Sequence, residues 1–527
     1  MNPLDLKHVS QFDEDGKKRT QSEVLLEIGQ NMGELFHDAG GDAYVSLRRG
    51  HSTQTYQVAS SEFREILHGL YYSITGLGCN RNALADAVAT LTAQAKFEGE
   101  SYPVYLRVGM TADDADDASP GTLHRIEIDT GNAEWDCIRI STDEIKVTKP
   151  SCRFKRAGKP LPLPAIGEPD FGLIWKYLSI PENQRPLVAA FMLAALRPTG
   201  PFPALVSQGE QGSTKSTLCK VVKRFIDPSA SPLRSPPREG RDLQVAAMNS
   251  WLPAWDNLSY LSPDLSDDLC RLATGTAMAS RRLYSDHDEV LVELQRPTII
   301  NGIEDLTTRP DLASRSLVIE CQVPETRKRE SDFWREIEQD APQIFAGLLA
   351  GVQQALKHQH EQPATAIRMA DLAAWANAGE TALGFEQGAF IEAYAENQQG
   401  ALTAGLEVSP VGQAVKGFMQ NRSEWQGSAS ELIAEMERVV SDQIVRQKSW
   451  PRAPHVLTQR LIRLAPALRA AGYGFEHGRE SGQRWIHLCK SRTEASFASQ
   501  SVIPKESVTP HDAHDAESGQ VHKEWTL

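Results

Sequence analysis

The chain has 527 residues, too many for one hydrophobic core, and the length points to about three or four domains. Hydrophobic residues make up 40 % and charged residues 24 %, and the longest apolar run, Leu187 to Leu196, covers only half a membrane span, so no membrane partner is expected. The net charge of −14 excludes a uniformly basic surface but not a local one, because the field that matters to a partner acts in a pore or on one small domain.

Residues 1–20 are polar, carry no apolar secretory stretch and read as a disordered amino terminus. Residues 21–165 mix helical and alternating patterns, as in Glu23 to Phe36 and Ala43 to Leu47, and predict an α+β amino-terminal domain. The acidic run Asp113-Asp114-Ala115-Asp116-Asp117 within it reads as a solvated loop. The proline-rich segment Lys159 to Pro164 reads as a linker. A long helical pattern from Phe171 to Leu196 follows, and an α/β pattern then extends to about residue 360. Residues 361–405 are helical, 406–490 form a compact unit, and 491–527 lack periodicity and read as a disordered tail. Seven cysteines without a C-x-x-C pair fit a reducing cytoplasm better than a disulfide or zinc framework.

The segment that carries chemistry is Gly209-Glu210-Gln211-Gly212-Ser213-Thr214-Lys215-Ser216, after the apolar stretch Phe202 to Ser207 and before the helix-forming Thr217 to Val222. Strand, glycine loop and helix form a phosphate cradle: backbone N–H groups meet phosphate oxygens, Lys215 places a charge near them, and Ser216 can ligate Mg²⁺. Thr214 stands where the usual pattern has a second glycine. Downstream, Trp251 to Trp255 is an apolar strand ending in Asp256, the candidate acid for the Mg²⁺-bound water. Asn257 follows where a water-polarising glutamate often stands; it can orient water but cannot act as a base, and Glu304 and Asp305 are reserve candidates. A third strand, Pro297 to Ile300, ends in Asn301.

This series, with a hairpin-like stretch at 281–294 and Arg315 beyond it, resembles the AAA+ ATPase core. It is most similar to superfamily 3 helicases and primase-helicases of phages and integrative mobile elements. The resemblance implies ATP and Mg²⁺ as cofactors, with Gly209, Gly212, Ser213, Thr214, Lys215, Ser216 and Thr217 around the nucleotide and Ser216 and Asp256 at the metal. By the same resemblance Asn301 would bridge the γ-phosphate and the lytic water, and Arg315 would reach a neighbouring subunit's nucleotide, with Arg309 as the weaker choice. Arg368 would be a lid arginine. The plain alternative for Arg315 is an ion pair with Asp311. The hairpin would present Arg281, Arg282 and Tyr284 to DNA.

Residues Val456 to Arg469 space apolar residues at helical intervals, and two strands follow around a glycine-bearing turn, the arrangement of a winged helix. Arg460, Arg463, Arg479 and Arg484 would give this unit a basic face for DNA. The expected fold is therefore a multidomain α/β chain: an α+β amino-terminal domain, an AAA+ P-loop core over 166–360, a helical lid and a carboxy-terminal winged helix. The expected activity is ATP-dependent movement on single-stranded or forked DNA by a homo-oligomeric ring such as a hexamer. A helicase loader or initiator, or an ATP-gated DNA-binding regulator, is the alternative.

Overall fold

The computed structural model describes residues 6, 9–50, 52–111, 123–275, 278–281, 289–292, 294–302, 306–307, 309–361, 367–447, 449–480 and 483–490. Helix α1 (Gln21–Asn31) starts at Thr20, whose hydroxyl accepts the Glu23 N–H while the Glu23 carboxylate accepts the Thr20 N–H. Strands β1 (Gly33–His37), β2 (Ala43–Arg49) and β3 (Ser52–Gln57) form an antiparallel meander covered by α2 (Ser61–Thr75) and α3 (Arg81–Phe97). Val24, Ile28, Leu47, Phe63 and Leu91 fill the core between them. The amino terminus departs from the expected disorder: Leu6 and Val9 are buried in this core, Phe12 bridges Lys18, and Arg19 pairs with Glu27.

The second half of the amino-terminal region packs elsewhere. Short β4 (Val104–Tyr105) precedes β5 (Val108–Met110), β6 (Arg125–Asp129), β7 (Cys137–Ser141) and β8 (Ile145–Thr148), which form one antiparallel sheet; β9 (Arg153–Phe154) pairs back with β4. Val108, Ile126, Ile128, Ile138 and Ile140 share a single core with Phe191, Leu205, Phe225 and Phe345 from the central part of the chain. The expected linker at 159–164 is a pinned strap: Leu161 N–H donates to the Pro228 carbonyl at 2.9 Å, and Leu163 N–H to that of Thr130 at 2.8 Å.

The helix expected over 171–196 is broken into two 3₁₀ turns, Phe171–Lys176 and Glu182–Gln184, and one buried helix, α4 (Arg185–Ala195). Pro181 enforces the break, because proline disfavours helical backbone in the residue before it. Next come β10 (Ala204–Gln208), α5 (Lys215–Ile226), α6 (Gly240–Asn249), β11 (Ala254–Leu258), α7 (Pro263–Thr274), the antiparallel pair β12 (Met278–Arg281) and β13 (Glu289–Val292), β14 (Thr298–Gly302), α8 (Pro310–Ala313), β15 (Ser316–Glu320) and the long α9 (Glu330–His358). The sheet is parallel, in the order β11-β14-β10-β15. Both faces are covered, which explains why Ala204-Leu205-Val206 and Thr298-Ile299-Ile300 are apolar without alternation.

Helices α10 (Ala370–Gly379) and α11 (Ala389–Val408) then return to the core. Asn397 of α11 caps the edge strand β15, accepting the Val318 N–H at 3.0 Å and donating to its carbonyl at 2.5 Å. Gln184 accepts the Glu320 N–H at 2.8 Å, so the edge is closed to further strands by side-chain amides. The last unit runs α12 (Pro410–Met419), β16 (Glu424–Gly427), α13 (Ala429–Glu437), α14 (Asp442–Val445), α15 (Pro454–Ala470), β17 (Tyr473–Glu480) and β18 (Gln483–Lys490), with sheet order β16-β18-β17. The expected helix and ribbon are in place; β16, a third strand, was not foreseen. Residues 491–527, expected as a tail, and the acidic run 113–117 lie outside the described residues. Among the described residues no helix is long and apolar enough to cross a membrane.

Candidate functional site

The loop between β10 and α5 is shaped by its first glycine. Gly209 has φ +142°, and a Cβ there would lie 2.5 Å from the Cys321 carbonyl oxygen and 2.9 Å from Ser213 Oγ, so no side chain fits. Gly212 also has a positive φ, +86°. Thr214 has φ −83° and caps α5, so its backbone makes no demand for glycine and the departure from the usual pattern carries no conformational cost. Its hydroxyl oxygen is buried without a hydrogen-bond partner. Lys215 is 8 % exposed and donates to the carbonyls of Gly209 (2.8 Å) and Glu210 (2.7 Å) and to Ser213 Oγ (3.2 Å).

Three side chains from separate strands and the helix converge beside that loop. Ser216 Oγ donates to Asp256 Oδ1 at 2.8 Å, and Asn301 Nδ2 donates to the same oxygen at 2.5 Å. Asn301 is 1 % exposed, and its Oδ1 accepts the Asn257 N–H at 2.8 Å. β14 lies between β10 and β11, which is why Asn301 stands between the serine and the acid. Asn257 has φ +60° at a register shift in the pairing of β11 with β14. Asparagine tolerates this left-handed backbone better than glutamate does, which accounts for the residue type at 257. Cys219, below Asn301, has its thiol pushed up to about 11 by burial and is inert.

The donor set at Ser216 and Asp256 is one hydroxyl and one carboxylate oxygen, which fits Mg²⁺, an ion that keeps most of its waters and takes few protein ligands. Among the described residues there is no group of three or more His, Cys, Asp or Glu side chains that suits a more demanding metal. Glu304 and Asp305 lie outside the described residues.

The arginines lie at the opposite end of the sheet. The Arg315 carbonyl accepts the N–H of Ala204, at the start of β10, whereas the glycine loop follows Gln208 at its end. Arg315 pairs with Asp311 Oδ1 at 2.5 Å, the plain alternative its sequence allowed. Arg368 donates to the same oxygen at 3.1 Å and to Ser314 Oγ at 2.8 Å. Arg368, expected as a lid arginine, is thus held at Asp311 and Ser314 and not at its own glycine loop. Arg309 pairs with Asp267 at 2.8 Å.

Beside the loop opens a cleft of about 660 Å³, between the start of α5 and the segment 324–334. Thr217 lines it, as do Tyr177, Arg327, Phe333 and Trp334, none of which the motif pattern identified. Arg327 Nη2 donates to the Gly212 carbonyl at 3.0 Å. The sequence signal for this wall is the aromatic pair Phe333-Trp334 beyond β15.

Arg281 belongs to the β12–β13 hairpin, while Arg282 and Tyr284 lie outside the described residues. On the last unit, Arg463, Arg479 and Arg484 are exposed and Arg460 is half-buried. Arg479 and Arg484 face each other across β17 and β18.

Residues 178–397 match the family model of the actinomycete integrative conjugative element replication protein, and residues 411–501 match the model of the RepA C-terminal domain from the same elements. No curated protein matches the chain significantly. Among solved structures, the chain is similar to the SCCmec type IV Cch active helicase at 12 % identity, with a TM-score of 0.43, covering 87 % of this chain and 92 % of that one. It is also similar to the apo NrS-1 C-terminal region at 12 % identity, with a TM-score of 0.35, covering 89 % of this chain and 99 % of that one.

Proposed function

We propose that this chain is an ATP-hydrolysing DNA motor, a helicase or translocase, that acts in replication of an integrative mobile element. The observation that carries the reading is the convergence of Ser216, Asp256 and Asn301 on one carboxylate oxygen, next to a Lys215-bearing glycine loop. The replication-protein family model over 178–397 supports the biological setting.

In this reading the loop N–H groups and Lys215 bind the phosphates, Lys215 exchanging its bonds to the Gly209 and Glu210 carbonyls for phosphate oxygens. Ser216 and Asp256 would hold Mg²⁺, which would supply charge neutralisation for the phosphates. Asn301 fixes the Asp256 carboxylate and, with Asn257 beside it, orients the attacking water; full proton removal is not required in a loose transition state. Arg315 leaves Asp311 for the γ-phosphate of an adjacent subunit, which makes the ring the active form. The pair it leaves is only half-buried, and an arginine at the transition state raises turnover by about three orders of magnitude or more.

We read the carboxy-terminal unit as a winged helix that meets DNA. Arg479 and Arg484, both exposed and opposite each other across β17 and β18, would give this unit a basic face for DNA. The same feature supports a second reading, an initiator that remodels duplex DNA without travelling along it. The test is phosphate release with and without single-stranded DNA, together with displacement of a strand from a forked substrate. DNA-stimulated hydrolysis with displacement supports the motor, hydrolysis without displacement supports the initiator, and no hydrolysis refutes both.

A further inference from the structure

The motif residues account for the phosphate end of a nucleotide and leave its other end without a partner. On this protein the cleft beside the loop supplies one. Its volume of about 660 Å³ lies within the range of small-molecule sites. It is continuous with the loop, since Gly212, Ser213, Thr214 and Thr217 form part of its wall.

Direction along the helix fixes which end of the ligand enters. Ser216 faces Asp256, the metal side, where the terminal phosphates belong. Thr217 and Lys220 face the cleft, and Lys220 lies about 6 Å further along α5 than Ser216 at 1.5 Å per residue. A ligand chain running from the metal side past Thr217 therefore enters the cleft with its ribose and base.

The far wall is aromatic and preset. Phe333 stands edge-on to Trp334, with ring centroids 5.5 Å apart at 88°, and edge-on to Tyr177 at 5.8 Å and 89°. Tyr177 is buried and its hydroxyl donates to Asp340 Oδ2 at 2.9 Å, so the stack is anchored from behind. Trp334 keeps part of its surface open to the cleft. The Lys220 ammonium donates to Glu330 Oε1 at 3.1 Å across the mouth, a carboxylate placed to accept ribose hydroxyls or an exocyclic amino group.

We infer that this cleft is the base and ribose subsite of a nucleoside triphosphate, with Trp334 as the stacking face and Glu330 as the polar contact. The inference rests on the reading of the glycine loop as the phosphate site, and the test separates the two. Calorimetry compares ATP with inorganic tripolyphosphate, each with Mg²⁺, on the full chain and on Trp334→Ala and Trp334→Phe. Base stacking on an aromatic ring is lost on alanine substitution with a weakening of about fivefold to a hundredfold.

The expected result is that Trp334→Ala weakens ATP by about tenfold and leaves tripolyphosphate unchanged, while Trp334→Phe restores most of the ATP affinity. Unchanged tripolyphosphate binding also shows that the variant is folded. Equal loss for both ligands, or no loss for ATP, overturns the stacking role. Equal affinity of the unaltered protein for ATP and tripolyphosphate overturns the subsite and leaves the phosphate reading standing. Binding of neither ligand removes both.

Discussion

The charged cluster at Asp227 offers a quantitative test of how the β5–β8 sheet is joined to helix α5. Asp227 is 8 % exposed, and its Oδ1 accepts from Arg107 Nε at 3.3 Å and Nη2 at 3.2 Å. Its Oδ2 accepts from Lys223 Nζ at 3.0 Å, Ser250 Oγ at 2.8 Å and the Leu252 N–H at 3.1 Å. Arg107 and Lys223 are themselves 1 % and 3 % exposed. Asp227→Ala would leave two buried cations and two buried donors without this partner. Breaking a buried pair by removing one member costs about 3–5 kcal/mol. For a unit of this size each kcal/mol lowers Tm by about 2 °C, so a drop of about 6–10 °C is expected by calorimetry. Burial works to raise the Asp227 pKa, but Lys223 and Arg107 outweigh it and hold the carboxyl well below the usual carboxylate range. A depressed folded pKa contributes stability that is present above the unfolded value of about 3.9 and is lost as pH falls through the folded one. The unaltered protein should therefore lose this contribution progressively below about pH 4, and Asp227→Asn should lose that part of the acid dependence. A Tm drop below about 2 °C, or an acid profile identical in Asp227→Asn, would refute the claim that this network joins the sheet to the helix.

Lys215→Ala should lower turnover by at least about a hundredfold, while circular dichroism stays unchanged because Lys215 bonds only to its own loop. Hydrolysis should rise with protein concentration if the complete site forms between subunits. Mixing inactive Lys215→Ala with inactive Arg315→Ala should then restore part of the activity, whereas near-normal turnover of Arg315→Ala alone would leave Arg315 as a partner of Asp311 only. Substituting Arg479 and Arg484 together by alanine should reduce the slope of log affinity against log salt by about two for duplex DNA; an unchanged slope would remove them from the interface.

Local sequence carried much of what is local in the molecule. Gly209 announces a turn that no side chain can occupy, and the apolar strands at 204–206 and 298–300 announce burial on both faces, because backbone geometry and solvent exclusion act over a few residues. The helix and ribbon of the carboxy-terminal unit were legible for the same reason, through periodicity in 456–469, inside the observed helix Pro454–Ala470, and the glycine-bearing turn after it. Pro181 is a helix-breaking signal inside 171–196 that the helical reading of that stretch did not use.

Proximity across the fold was decided only by tertiary packing. Strand order put Asn301 between Ser216 and Asp256, and a bulge gave Asn257 the left-handed backbone that explains its residue type. Arg368 was brought to Asp311 rather than to the glycine loop, because α8 and the start of β15 lie at the far end of the parallel strands. The allegiance of residues 104–148 to the central core, and the aromatic wall at 333–334, depend on contacts between segments more than a hundred residues apart. Periodicity names which face of an element is buried; only the assembled sheet and helices determine against which partner.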